Sequence, residues 1–188
     1  MKNWILVLLI IFASCSTSKK MEQRESVLKS KEDIALFDTV QRAAFNYYYE
    51  GAEPVSGLGR ERYHADNIYP QNDKNTVTSG GSGFGVMALL VGIDRKFITR
   101  EQGVNQLEKI IHFLETADRF HGAWPHWWNG ETGKVKPFGR KDNGGDLVET
   151  SFMVQGLLCV RQYFQNGTAK EKELAERADK TRSSPARR

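Results

Sequence analysis

The chain has 188 residues, which is enough for one domain or for part of a larger one. Its 39% hydrophobic and 27% charged residues indicate a globular protein and exclude a disordered one. The formal charge of +4 depends on five positive residues near the two ends, so the rest of the chain carries −1 and offers no basic patch for nucleic acid. These residues are Lys2, Lys180, Arg182, Arg187 and Arg188. We therefore exclude nucleic acid as a partner.

The first residues have the pattern of a bacterial export signal. Lys2 precedes an apolar run over residues 4–12 that is too short to span a bilayer. The sequence that follows, Phe-Ala-Ser-Cys, resembles a lipobox cleaved before its cysteine, which predicts a signal peptide over residues 1–14 and a lipid on Cys15. A plain secretory cleavage site and an uncleaved anchor are the alternatives.

Residues 15–29 are polar and predict a flexible tether between the lipid and a folded domain. No acidic residue comes directly after Cys15, which favours the periplasmic face of the outer membrane. We therefore expect a lipid-anchored protein of the cell envelope. The second of the two cysteines, Cys159, lies in an apolar helical pattern and is expected to be a small core residue, because an acylated Cys15 leaves it without a disulfide partner.

Helical patterns of two kinds alternate along the chain. Residues 30–49 and 99–120 are amphipathic, and the second of these begins with a capping box at Thr99. Residues 82–93 and 146–164 are apolar nearly all round, so both are expected to be buried on most faces. This alternation is the order expected when outer and inner helices of an α/α toroid succeed one another.

The last part of the chain has a weaker pattern. Residues 168–180 predict the start of a fifth, polar helix, and residues 181–188 predict a disordered or aberrant tail. Four helices and part of a fifth cannot close a ring, so the inner helices are expected to expose apolar faces. Apart from a short β-hairpin near residues 128–138, the chain is predicted to be all-α.

A long segment without periodicity, residues 51–78, separates the first two helices. Loops of this length in compact domains are usually functional or disordered, and Arg60 and Arg62 could bind a polar ligand there. A solvated surface loop is the alternative. The glycines over residues 80–85 lack the Gly-Lys-Ser/Thr of a phosphate loop, so we interpret them as close backbone packing at the start of a helix.

Residues 121–131 combine aromatic rings with turn residues. Trp124, Trp127 and Trp128 lie in a segment that proline and glycine keep from being helical. Flat indole faces suit the C–H faces of sugar rings, which predicts that these rings and His126 bind substrate. Burial of the rings in the core is the alternative. His121 and His126 lack a third ligand at a convincing spacing, so we expect neither a metal nor a cofactor.

A glycine-rich turn over residues 139–145 leads into the second apolar helix. It carries Asp142, and Asp146 and Glu149 follow at the helix N-terminus, where the helix dipole favours negative charge. These carboxylates are candidate catalytic groups. The alternative is that Asp-x-x-Glu before an apolar run forms a capping box, whose side chains only satisfy backbone N–H groups.

Three segments together resemble a family of bacterial glycoside hydrolases. They read Ser-Gly-Gly-Ser-Gly-Phe-Gly over residues 79–85, Trp-Pro-His-Trp over 124–127 and Gly-Asp-Leu-Val-Glu-Thr-Ser-Phe over 145–152. The family contains glucoamylase-like proteins and the endo-β-1,2-glucanases of glycoside hydrolase family 144. The resemblance covers about residues 34–180.

The resemblance implies a partial (α/α)6 toroid over residues 30–180 that acts on β-glucan with inversion and without metal. Asp142, Asp146 and Glu149 match acidic residues of the family's cleft, and the other proposed catalytic carboxylate belongs to a later part of the fold. Because a helix N-terminus favours an ionised carboxylate, we expect Asp146 or Glu149 to be the base or a sugar-hydroxyl acceptor, with Asp142 the weaker candidate for the acid. A non-catalytic glycan-binding lipoprotein and an inactive fragment are the alternatives.

Overall fold

A computed structural model describes residues 30–183, which are mostly helical. The helices are α1 (Lys31–Tyr49), α2 (Ser79–Asp94), α3 (Arg100–Thr116), α4 (Leu147–Phe164) and α5 (Ala169–Ser183), and the strands are β1 (Thr76–Thr78) and β2 (Trp127–Asn129). The predicted signal peptide, the tether, Cys15 and residues 184–188 lie outside the described residues. Within the described part, no helix is long and apolar enough to cross a membrane.

The chain divides into two units, Met1–Thr39 and Val40–Arg188. In the first unit, the described residues form the beginning of α1. Ser30 and Asp33 cap this helix reciprocally, since each side chain accepts a hydrogen bond from the backbone N–H of the other residue, at 2.9 and 3.2 Å.

The second unit is built on the two apolar helices, α2 and α4, which pack along each other. Their backbones nearly touch at Gly83 and Gly156, where a Cβ atom on Gly156 would lie 2.7 Å from the carbonyl oxygen of Gly83. The prediction that glycines at the start of α2 serve close backbone packing is confirmed. Only glycine permits this approach, because any larger side chain at Gly83 would overlap the backbone of α4 at Phe152.

The amphipathic helix α3 matches its prediction at its start. Thr99 and Gln102 form the expected capping box, with bonds of 3.1 and 2.8 Å. Its apolar stripe is buried in the core, as predicted, through Val104, Leu107, Ile110, Ile111 and Leu114. The helix ends at Thr116 rather than at residue 120.

The last helix, α5, packs against α3 and α4 and continues to Ser183. Residues 181–183, which were predicted to belong to the tail, are therefore helical, and Thr181 is buried. Cys159 on α4 is half-buried and packs against the core cluster.

The predicted hairpin after Trp127 is present. Backbone hydrogen bonds join Asn129 to Lys134 at 2.8 Å and Lys136 to Trp127 at 3.0 Å. The sequence did not predict that another strand pairs with this hairpin. Strand β1, at the end of the long loop, pairs antiparallel with β2, and Val77 lies opposite Trp128. This pairing brings the start of α2 next to the tryptophan segment.

The two apolar helices leave part of their surface exposed, as predicted. The exposed side chains are Phe84 and Val91 on α2 and Leu147, Val148 and Phe152 on α4. The rings of Phe84 and Phe152 contact each other, with centroids 5.1 Å apart, so the exposed apolar residues of α2 and α4 meet at these two rings. We refer to these five residues as the apolar patch.

Candidate active site

The tryptophan segment is fixed to the N-terminus of α2. Ser79, the first residue of that helix, donates its hydroxyl to the carbonyl oxygen of Pro125 at 2.7 Å. Its backbone N–H donates to the carbonyl oxygen of His126 at 3.0 Å. The free N–H groups of a helix start are thereby partly satisfied by a neighbouring chain segment.

The same segment is also fixed to the N-terminus of α4. The backbone N–H of Asp146 donates to the carbonyl oxygen of Trp124 at 2.8 Å. In the other direction, the backbone N–H of Trp124 donates to the hydroxyl of Thr150, also at 2.8 Å. The three segments that carry the family resemblance are distant in sequence, and these bonds bring them together at one place.

Asp146 caps α4. Its Oδ1 accepts hydrogen bonds from the backbone N–H groups of Val148 and Glu149, at 3.0 and 3.1 Å. Its Oδ2 lies 3.1 Å from Nδ1 of His126. Oδ1 is therefore bound by two backbone N–H groups, and Oδ2 faces a ring nitrogen.

Glu149 does not complete the capping box. In a capping box its carboxylate would accept from the backbone N–H of Asp146, but that N–H is bound to Trp124. The Glu149 carboxylate instead reaches the neighbouring helix, where Oε2 accepts from the backbone N–H of Gly80 at 3.0 Å. Gly80 lies in the first turn of α2, so the positive end of a second helix dipole faces this carboxylate.

His126 lies between the two carboxylates. Its Nδ1 faces Asp146, and its Nε2 is 3.8 Å from Oε1 of Glu149. The imidazole stacks on the indole of Trp127, with centroids 3.7 Å apart and an angle of 17° between the planes. All four side chains are partly exposed, so this cluster can meet a ligand from solvent.

The other two tryptophans are buried completely and pack in the core. The guanidinium of Arg119 lies 4.0 Å over the ring of Trp124, and the indole N–H of Trp128 donates to the carbonyl oxygen of Asp118 at 3.1 Å. Neighbouring residues of a strand face opposite sides, so Trp128 points into the core where Trp127 points outward. The prediction that all three rings bind substrate is therefore wrong for Trp124 and Trp128, whose faces a sugar cannot reach.

Asp142, Arg60 and Arg62 make their hydrogen bonds outside the cluster. Asp142 stabilises its own turn by accepting from the backbone N–H of Phe138 at 3.1 Å. Arg60 donates to the carbonyl oxygens of Gly51 and Lys74, at 3.1 and 2.5 Å. Arg62 pairs with Glu61 and with the buried Asp73. In residues 30–183, the hydrogen bonds of both arginines hold the long loop together and do not reach Asp146 or Glu149.

Sequence analysis missed two contributors to the site, Ser79 and the backbone N–H of Gly80. The available signal was a Ser-Gly-Gly sequence at a helix start, because exposed N–H groups at a helix N-terminus readily bind a carboxylate. No group of three or more His, Cys, Asp and Glu side chains in the described part of the chain is arranged to hold a metal ion.

No protein-family model matches the chain. The exo-β-1,2-glucooligosaccharide sophorohydrolase (non-reducing end) of Parabacteroides distasonis is 56% identical over 148 residues, which are 78% of this chain and 20% of that protein. The crystal structure of an endo-β-1,2-glucanase from Chitinophaga pinensis, a complex with sophorotriose and glucose, is 70% identical, with a TM-score of 0.77 over 78% of this chain and 35% of that one. A β-1,2-glucanase from Parabacteroides distasonis is 51% identical, with a TM-score of 0.72 over 81% of this chain and 21% of that one.

These structural neighbours are helical toroid proteins, so the prediction of a partial toroid is confirmed. The chain spans about a fifth of the curated relative and about a third or less of these two structures.

Proposed function

We propose that this chain, whose homologues are endo-β-1,2-glucanases, a sophorohydrolase and glucoamylase-like proteins, forms part of the cleft of an inverting glycoside hydrolase that acts on β-glucan. One observation carries the proposal. The carboxylate of Glu149 does not cap its own helix but faces His126 and the first turn of α2, with 19% of its side chain exposed. A carboxylate needed only for capping would bind the start of its own helix.

An inverting hydrolase uses two carboxyl groups about 6.5–9.5 Å apart, an acid on the leaving oxygen and a base that activates water. Glu149 suits the second role, because the Gly80 N–H holds its Oε2 while Oε1 faces the partly exposed side of the cluster. It would accept a proton from water, or hold a sugar hydroxyl, through Oε1. Asp146 suits an orienting role, because its Oδ1 is bound by two backbone N–H groups and its Oδ2 faces a ring nitrogen.

The remaining role is that of the general acid, which protonates the leaving oxygen. Asp142 is the weaker candidate in this chain, because its carboxylate is engaged in the turn after Phe138. The relatives are about three to five times longer than the segment they share with this chain, and we expect the acid to come from that additional length. Complete catalysis is therefore proposed for a protein of that length.

The saccharide would bind beside Trp127. Its indole is the one tryptophan ring of residues 121–131 that is not buried, and Phe138 meets it edge-on, with centroids 4.8 Å apart. Aromatic faces of this kind bind the C–H face of a sugar while neighbouring polar groups bind its hydroxyls. Glu149 would supply such a polar group through Oε1.

A glycan-binding protein without hydrolytic activity is the second candidate. It is favoured by the engagement of Asp142 and Asp146 in local structure, because an inverting hydrolase needs two available carboxyl groups. The two candidates are separated by Glu149→Gln. In a hydrolase this change lowers the release of reducing ends from β-1,2-glucan by about 10²–10⁴-fold and preserves binding of sophorotriose. A binding protein releases no reducing ends either with Glu149 or with glutamine.

We also propose that Cys15 carries a lipid and anchors the protein in the outer membrane of the cell envelope, on the periplasmic side. Support comes from the apolar run and the Phe-Ala-Ser-Cys junction alone. Radiolabelled palmitate should label the wild-type chain. Equal labelling of Cys15→Ser would contradict the proposal.

A further inference from the structure

We propose that His126 is a positioning residue, which holds the carboxylate of Asp146 in one orientation beside Glu149 rather than binding the sugar. The catalytic importance of this role rests on the proposed function, whereas the contacts of His126 do not depend on it. The imidazole bridges the N-termini of two helices, because it faces Asp146 and Glu149 on α4 and its own backbone is bound to Ser79 on α2.

The imidazole is constrained from three directions. Its backbone carbonyl accepts from the Ser79 N–H at 3.0 Å, which fixes the origin of the side chain. One face of the ring is covered by the Trp127 indole. One edge meets Oδ2 of Asp146 at 3.1 Å. A side chain constrained in this way has little freedom to follow a ligand, which is the property of a positioning group.

The two carboxylates meet the ring unequally. The Nδ1–Oδ2 distance of 3.1 Å to Asp146 is within hydrogen-bonding range, whereas the 3.8 Å from Nε2 to Oε1 of Glu149 is beyond it. A carboxylate only accepts, so a hydrogen bond between these two atoms requires the proton to be on Nδ1. His126 therefore orients Asp146 directly, and leaves Oε1 of Glu149 available for water or a sugar hydroxyl.

This arrangement gives Asp146 a role different from that of Glu149, the proposed base. The Oδ1 atom is bound by the N–H groups of Val148 and Glu149, and Oδ2 is directed at the histidine. If His126 were removed, Oδ2 would be free to rotate toward solvent and the Glu149 carboxylate would lose its neighbour. A displacement of the reacting groups by about 1 Å can cost about 10²-fold in rate.

The tautomer of His126 tests the inference without requiring catalysis. Nitrogen-15 NMR of the 188-residue chain should show a proton on Nδ1 of His126. Exposed His121 is the matched control, and we expect it to show the Nε2–H form that free imidazole prefers. Replacing Asp146 with alanine should return His126 to the pattern of His121. A proton on Nε2 alone in the wild-type chain, or a tautomer that Asp146→Ala leaves unchanged, would overturn the inference.

Two conservative variants separate the two edges of the ring. The side-chain amide nitrogen of His126→Asn lies near the position of Nδ1, and that of His126→Gln lies near the position of Nε2. We expect the backbone amide resonances of Val148 and Glu149 to stay near their wild-type positions in the asparagine variant. In the glutamine variant and in His126→Leu they should move together. Movement in the asparagine variant equal to that in the leucine variant would contradict the proposed role of Nδ1.

A different result would refute the proposed function. If a protein of the relatives' length releases no reducing ends from β-1,2-glucan while His126 shows the expected tautomer and rescue by asparagine, the catalytic proposal is wrong and the positioning role stands. In an active protein, His126→Leu should lower kcat by about 10²-fold with KM little changed, and asparagine should restore most of that loss. A raised KM with unchanged kcat would show that His126 is a sugar contact and would overturn the inference.

Discussion

Oε2 of Glu149 lies 3.0 Å from the backbone nitrogen of Gly80, and this bond joins the N-termini of the two apolar helices. The carboxylate crosses from α4 to α2 because the N–H it would otherwise cap is bound to Trp124. Its position therefore depends on two further segments of the chain, the β1–α2 junction and the tryptophan segment.

Gly80 should be intolerant of any side chain. A Cβ atom there would overlap the Glu149 carboxylate, so we expect Gly80→Ala to displace Glu149. Overpacking of this kind typically lowers the free energy of unfolding by about 1–3 kcal/mol. Gly144→Ala is the matched control, because nothing lies within 4 Å of a Cβ atom at that position. Denaturant unfolding of both variants measures the difference, and equal stability would contradict the close contact.

Glu171 on α5 should make the free energy of unfolding depend on pH. The backbone N–H of Thr168 and the guanidinium of Arg100 lower the pKa of this buried carboxyl below its ordinary value of 4.5. A lowered folded-state pKa stabilises the fold above pH 4.5, and this contribution is lost as pH falls through the folded-state pKa.

The test is Glu171→Gln, with exposed Glu173→Gln on the same helix as control. At neutral pH we expect the first change to lower the free energy of unfolding by about 1.5–3 kcal/mol, since it removes hydrogen bonds to a charged group. The difference between this variant and the wild-type chain should shrink as pH falls below 4.5. A difference that is constant from pH 7 to pH 3 would be evidence against the assignment.

The apolar patch should bind a hydrophobic dye. The largest apolar patch on a typical monomer is about 300–600 Å² and often binds a partner, and here five large apolar side chains are exposed on two adjacent helices. We expect the chain to enhance the fluorescence of anilinonaphthalene sulfonate, and Phe84→Ser with Val148→Ser to reduce it. Exposed Glu173→Ser is the control for added hydroxyls. A monomeric chain that does not bind the dye would contradict the exposure of this patch.

Local sequence was sufficient to predict features that depend on residues within one helix. The capping box at Thr99 and the buried stripe of α3 follow from spacing alone, because both are set within a few turns. The role of Glu149 could not be predicted in this way. Asp-x-x-Glu is compatible with capping, and the outcome was decided by a carbonyl group at Trp124, which is 22 residues away from Asp146.

The side that each tryptophan ring faces could not be predicted from local sequence either. The sequence predicted that the three rings of this turn-rich segment bind substrate, with burial in the core as the alternative. Pairing of β2 with β1, whose residues precede it by about 50 positions, set the alternation that places Trp128 inside and Trp127 outside. Sequence periodicity is not informative over a strand of three residues, so the side that each ring faces depended on the tertiary pairing.

Trp127 and Trp128 are neighbours in sequence and should give opposite results when each is replaced by alanine. Trp128→Ala removes a fully buried ring that packs edge-on against Phe113, with centroids 5.6 Å apart, so we expect a loss of about 3–5 kcal/mol in the free energy of unfolding. Trp127→Ala removes a partly exposed ring and should cost less stability. If its indole is the sugar platform, this variant should lose affinity for sophorotriose, whereas the folded fraction of the Trp128 variant should retain it. Denaturant unfolding and calorimetric titration must therefore be done on the same samples. Wild-type affinity in Trp127→Ala would leave the saccharide without its aromatic contact and would refute this part of the proposed site.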